Sequence, residues 1–169
     1  MRVKKNTPLK KVLELGRACK RCGHCCRHGS GALVKDDLKN IAIFLGINQE
    51  ELKKEYLEEI EKFHTRLLRP KIIKQGKPYG QCVFLDGKDC KIQKVKPLEC
   101  KIGNCSEHGE ELSLWFMLNH FVNKNDAQSI RDFATYLKAG GKTLQGGKLE
   151  DFVPDKNRLK KILSYKILA

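Results

Sequence analysis

Apolar side chains recur at helical spacing in several stretches of this chain, and one strand-like run interrupts them. Leu38, Ile41, Ala42 and Leu45 place a stripe on a helix from Asp36 to Leu45, which Gly46 stops. Asn48 with Glu51 three residues on has a capping-box arrangement. Leu52, Tyr56, Ile60 and Phe63 then predict a second helix running to Phe63, and the acidic outer face of both helices reads as solvated surface. Further on, Glu110 to Val122 carries Leu112, Trp115, Phe116 and Phe121 as a core helix. Asp126 caps another through Lys138, with Ile130, Phe133, Ala134 and Leu137 inward and Gly140-Gly141 ending it. Pro154-Asp155 opens a last basic helix with Leu159, Ile162 and Leu163 inward. The strand-like run is Gln81 to Leu85; Asp86-Gly87 is a hairpin signal, Asp89 to Ile92 returns, and Pro97 breaks the strand.

These elements predict a mainly α fold, one small helical domain over residues 1–169. Its cysteine-rich, metal-organised loop and β-hairpin region spans 17–105, a helical insertion spans 36–63, and a C-terminal helical part spans 106–169. Hydrophobic residues at 40% make the chain too apolar for disorder. No run approaches the roughly 18 apolar residues of a membrane span, and no apolar leader follows Lys4-Lys5, so the expectation is a cytoplasmic protein without membrane contact.

The net charge of +14 matters because of where it sits. Residues 1–27 hold nine Lys/Arg against one acid, residues 66–104 hold ten against three, and 36–64 is acidic. The basic segments are the cysteine-bearing ones. One reading is a basic face for nucleic acid or another polyanion. The simpler one is local neutralisation, since eight thiolates on two divalent ions would bring the formal charge to about +10, and nearby Lys and Arg favour the thiolate form.

The eight cysteines form two groups, Cys19, Cys22, Cys25 and Cys26, then Cys82, Cys90, Cys100 and Cys105. An even count permits disulfides, but frameworks of that kind belong mainly to small secreted domains. Metal ligation explains the spacing better. Two residues between cysteines let a tight turn aim both sulfurs at one ion, and Cys19, Cys22 and Cys25 repeat that offset. Cys26 does not easily join them, because adjacent side chains diverge by about 100° on a helix. The adjacent pair therefore implies two centres, or one centre with a spare thiol. Gly23 suits a turn with unusual backbone angles or close approach to a metal. His24 and His28 read as surface or supporting residues, because eight sulfurs suffice for two four-coordinate sites. The hairpin would bring Cys82 and Cys90 together, and each centre could draw ligands from both halves of the chain.

Zinc and an iron–sulfur cluster both remain open. The ferredoxin run C-x2-C-x2-C-x3-C-P is absent, since its fourth cysteine position is Gly29 and Ser30 follows. The ordered set Cys19-x2-Cys22-Gly23-x-Cys25-Cys26-Arg27, Cys82-Val83-Phe84-Leu85, Cys90 and Lys96-Pro97-x2-Cys100 resembles the CxxCxxCC family, the YkgJ-type cysteine-cluster proteins. The resemblance covers residues 17–105 and implies chelation of zinc or iron. Lys96 stands where the family has Arg, and Lys101-Ile102-Gly103-Asn104 replaces the usual Arg-x-Phe-Pro, with Cys105 beyond. The same family includes flagellin lysine methylases, which implies an iron–sulfur enzyme as the alternative; residues 106–169 carry no recognisable methyl-donor site.

Other catalytic patterns are missing. Gly140-Gly141-Lys142-Thr143 lacks the glycine of a phosphate loop, Tyr136 standing in its place, and His64, His108 and His120 are isolated in the sequence, with no evident catalytic partner. The expectation is a metal-binding protein holding zinc or iron, as a [4Fe-4S] cluster in one version, through all eight cysteines. The competing expectations are the iron–sulfur enzyme and a zinc-dependent nucleic-acid binder using the basic face.

Overall fold

Residues 2–169 are described by a computed structural model, and the chain gathers into two compact units. The elements run α1 (Leu9–Gly16), α2 (His24–His28), α3 (Asp37–Leu45), α4 (Gln49–Tyr56), β1 (Leu57–Lys62), β2 (Thr65–Pro70), β3 (Ile72–Ile73), β4 (Gln81–Cys82), β5 (Leu85–Asp86), β6 (Asp89–Cys90), α5 (Leu98–Ile102), α6 (Gly109–His120), α7 (Ala127–Lys138), α8 (Leu149–Phe152) and α9 (Lys156–Leu163). The fold is mainly helical, and its strands pair two by two as β1–β2, β3–β4 and β5–β6 among the described residues. No described helix is long and apolar enough to cross a membrane.

One unit comprises Gly16–Ile60 and Leu67–Ser106 and contains all eight cysteines. Its core gathers Ile41 and Ala42 of α3, Leu52 of α4, Leu57 of β1, and Phe84, Leu85 and Ile92. Helix α3 follows its expected stripe, with Leu38 and Leu45 half-buried beside that core. In α4 the Asn48 side chain accepts the Glu51 N–H at 2.8 Å, as the capping signal required.

The second expected helix stops at Tyr56 instead of Phe63. From Leu57 the backbone is extended (φ −117°, ψ 154°), and residues 57–62 form β1 against β2. The helical spacing of Tyr56, Ile60 and Phe63 loses to cross-strand pairing. Arg66 donates to Glu61 at 2.7 Å and Arg69 to Glu58 at 2.9 Å. Phe63 and His64, at φ +48° and +58°, make the two-residue turn between the strands.

The hairpin expected around Asp86-Gly87 exists, and the structure fixes its register. Leu85 pairs with Cys90 and Asp86 with Asp89, leaving Gly87 (φ +59°) and Lys88 as the turn. The expected strand from Gln81 to Leu85 is broken at Val83 and Phe84, so Cys82 pairs with Ile72 of β3 instead of joining that hairpin. The Val83 N–H is drawn to the Lys71 carbonyl at 3.0 Å. Beyond the break expected at Pro97 the chain winds into α5, and the Pro97 carbonyl accepts the Lys101 N–H at 2.9 Å.

The other unit comprises the chain up to Leu15, Glu61–Arg66 and Glu107–Ala169. Leu112, Phe116, Phe121, Ile130, Phe133 and Ile162 are fully buried in it, and Trp115 is buried with its indole N–H donating to the Thr7 carbonyl at 3.0 Å. Asp126 caps α7 through the Gln128 and Ser129 N–H groups and also takes the ring of His64 at 2.6 Å. His64 therefore has a partner, 62 residues away, that sequence did not reveal. Leu163, expected inward on α9, is 41% exposed; Arg131 occupies the space beside that helix end, donating to the carbonyls of Ile162, Ile167 and Leu168.

Candidate metal centre

All eight cysteines are free thiols. The first group begins in the loop after α1 and ends on α2. Gly23, at φ +71°, turns the chain into α2, and a Cβ there would stand 3.3 Å from the Lys88 carbonyl. Only glycine passes this close to the β5–β6 turn without strain. Arg27 fastens the same crossing, reaching the Cys22 carbonyl at 3.4 Å and the Gly87 carbonyl at 3.3 Å. Five residues are too few for a stable isolated helix, and α2 is held by packing on β4. His24 and His28 are exposed, their rings 4.7 Å apart, with Tyr79 against His28.

The second group is spread over three elements and a loop. Cys82 ends β4, Cys90 ends β6, Cys100 sits on α5 and Cys105 lies in the loop beyond. Helix α5 is placed by two carboxylates the sequence reading passed over. Asp37, buried, accepts the N–H groups of Val34 and Leu98, each at 2.9 Å, with Lys101 Nζ at 3.7 Å. Glu99 accepts the Ala32 N–H. Together they press Cys100 on the Gly31 backbone, where a Cβ would lie 2.6 Å from the sulfur.

Sulfurs from the two distant stretches become neighbours in two sets. Cys25 feels Cys19, Cys22 and Cys105; Cys26 feels Cys82 and Cys90, and Cys100 feels Cys82 and Cys26. Adjacent Cys25 also acts on Cys26, but beyond that contact they face different sets. The Cys26 set belongs to the apolar core, with Cys26, Cys82 and Cys90 packed among its side chains. In the Cys25 set, Cys22, Cys25 and Cys105 are exposed.

Burial and mutual repulsion push these thiols up. Cys26 is pushed to about 11, by burial first and then by Cys25, Cys82 and Cys90, against the pull of Lys96. Cys82, Cys90 and Cys100 are raised by burial, each opposed by backbone N–H groups aimed at its sulfur: Phe84 and Leu85 for Cys82, Ile92 for Cys90, Gly31 for Cys100. Cys25 is raised by burial, then by Cys105, Cys19 and Cys22, its own N–H opposing.

A bound cation reverses both penalties, because it neutralises the clustered charge that burial disfavours, and the amides already point where a thiolate needs donors. The donor set thus fits a soft or borderline ion such as zinc, or iron–sulfur ligation. Among the described residues, no three His, Cys, Asp or Glu side chains are drawn tightly enough to hold an ion in this conformation. The two sets are neighbourhoods of sulfur, not closed coordination shells.

The model of the CxxCxxCC family, described as "Putative zinc- or iron-chelating domain", matches residues 18–132. An uncharacterized protein of Methanocaldococcus jannaschii, MJ0661, is 36% identical over 86 residues, which is 50% of this chain and 42% of that protein. The match thus spans less than half of that relative's length. No solved structure matches.

Proposed function

This chain belongs to the CxxCxxCC family, and from that premise we propose that it chelates zinc or iron at two centres of four cysteines each. The inner centre uses Cys26, Cys82, Cys90 and Cys100, and the outer one uses Cys19, Cys22, Cys25 and Cys105. The observation that supports this reading is the division of the eight sulfurs into two sets, each drawing on both ends of the cysteine-bearing segment. Four sulfurs complete the coordination of one zinc ion, and equally the ligation of one iron–sulfur cluster. Binding would convert several protonated thiols into a cross-link between distant segments, so that metal affinity becomes folding stability.

Metal and acid-labile sulfide analysis of the protein, purified without oxygen from cells supplied with both metals, tests the reading. Colourless protein should carry about two zinc ions per chain. Brown protein with iron and sulfide would select the cluster form and favour the iron–sulfur branch of the family. The serine variant of Cys22 should keep about half of the metal. Protein without bound zinc or iron, or a Cys22→Ser chain with unchanged content, would refute the two-centre assignment.

A further inference from the structure

The two sets of sulfur are built differently. Every inner ligand sits on a regular element: Cys26 on α2, Cys82 on β4, Cys90 on β6 and Cys100 on α5. Three of the outer four, Cys19, Cys22 and Cys105, lie in loops, and Cys22, Cys25 and Cys105 are exposed. Amides of other residues are aimed at three of the inner sulfurs, Cys82, Cys90 and Cys100, whereas Cys25 has its own N–H. Arg17, Lys20 and Arg21 flank the outer loop, all exposed, and no acid occurs between Gly16 and Val34.

Resting on the two-centre reading, we propose that the outer centre is a transfer site that passes its divalent ion to thiolate-bearing acceptors, while the inner centre keeps its ion as part of the fold. Exchange at a four-sulfur ion proceeds by attack of an incoming thiolate on the metal, which requires access and ligands free to swing away. The outer set offers both, with three exposed sulfurs and three in loops; the inner set has no exposed sulfur and holds every ligand on a helix or strand. A divalent ion on four thiolates carries a net charge of −2, which the flanking cations offset so that an anionic acceptor can approach. In each step one acceptor sulfur–metal bond forms and one cysteine–metal bond breaks. The departing cysteine leaves as a thiolate, so charge balances without a proton passing between the two sulfurs. It then takes from solvent the equivalent of the proton the acceptor gave up on ionising, and the ion stays divalent throughout, so no electron is exchanged.

The test uses the full chain loaded with Zn2+ under reducing conditions, its zinc content measured first. It is then mixed with increasing concentrations of the dithiol 2,3-dimercaptosuccinate, and the zinc left on the protein is counted after rapid desalting. One of the two ions should leave about tenfold faster than the other, the scale set by hydrogen-bond support of metal ligands. The fast rate should rise in proportion to the dithiol, with far-ultraviolet circular dichroism unchanged after the fast ion has gone. Cys22→Ser, or Cys105→Ser if the first fails to fold, should remove the fast phase and retain the slow one. Two bound ions that leave at one common rate, or a fast rate indifferent to dithiol concentration, would overturn the transfer role and leave chelation standing. Fewer than two ions at the start would overturn the two-centre reading and this inference with it.

Discussion

Gly31 shows how much a single atom can decide. Its missing Cβ is the space the Cys100 sulfur occupies, 2.6 Å away, with the Cys100 amide nitrogen at 2.9 Å. In Gly31→Ala the backbone or Cys100 has to move. Urea unfolding should show a loss of about 1–3 kcal/mol, the usual cost of forcing an extra methyl into a packed site, and zinc competition should show weakened binding at the inner centre only. The thiols themselves predict a pH dependence. Cys26, Cys82, Cys90 and Cys100 hold their protons more tightly folded than unfolded, chiefly because they are buried. Above about pH 8.5, where ordinary thiols ionise, the unfolded chain therefore binds fewer protons, and stability falls as pH rises through that window. Urea midpoints of metal-free protein should drop between pH 8 and 10, whereas those of loaded protein, whose thiols are already deprotonated on the ion, should rise until the unfolded thiols have ionised and then level off.

Among the elements, α5 depends on a partner far away in sequence. Asp37 satisfies the Leu98 N–H at its start and the Val34 N–H in the loop ahead of α3 with one buried oxygen. Asp37→Ala would leave both amides without that acceptor, at a cost of about 2–4 kcal/mol in chemical denaturation, since each buried unsatisfied donor costs about 1–3 kcal/mol. Inner-centre affinity should fall with it, because Cys100 loses its mounting. The contrast between α3 and β1 shows what a local pattern can carry. Leu38, Ile41, Ala42 and Leu45 share one face and one boundary glycine, so propensity, spacing and stop signal agree. Ile60 and Phe63 continue the spacing of α4, but Glu58 and Glu61 find arginines across a strand pair, and helix propensity is too weak a preference to resist that pairing.

At the scale of the whole molecule, cysteine is confined to the unit of Gly16–Ile60 and Leu67–Ser106, while the other unit has an apolar core of its own around Phe116, Phe133 and Ile162. Metal-linked stability should therefore be local. Hydrogen exchange before and after chelation should show protection lost in 16–60 and 67–106 and largely kept in 107–169. Equal loss in both would mean that the metal stabilises more than the unit that holds the cysteines.

What the sequence by itself determined is whatever neighbouring residues can encode. It set the cysteine order that places the chain in its family, the helical stripes of α3, α6 and α7, and the caps at Asn48 and Asp126. Each of these depends on side chains within a few positions of one another. Only the tertiary structure decided which sulfurs are neighbours, that Cys82 leaves the hairpin for β3, that Cys100 rides on a helix, and that Phe63 and His64 form a turn. Those outcomes rest on contacts across tens of residues, such as Asp37 with Leu98 and Arg27 with Gly87. Linear spacing holds no record of such contacts, because loop closure costs entropy that grows only slowly with length and so leaves many pairings open until packing and hydrogen bonding choose among them.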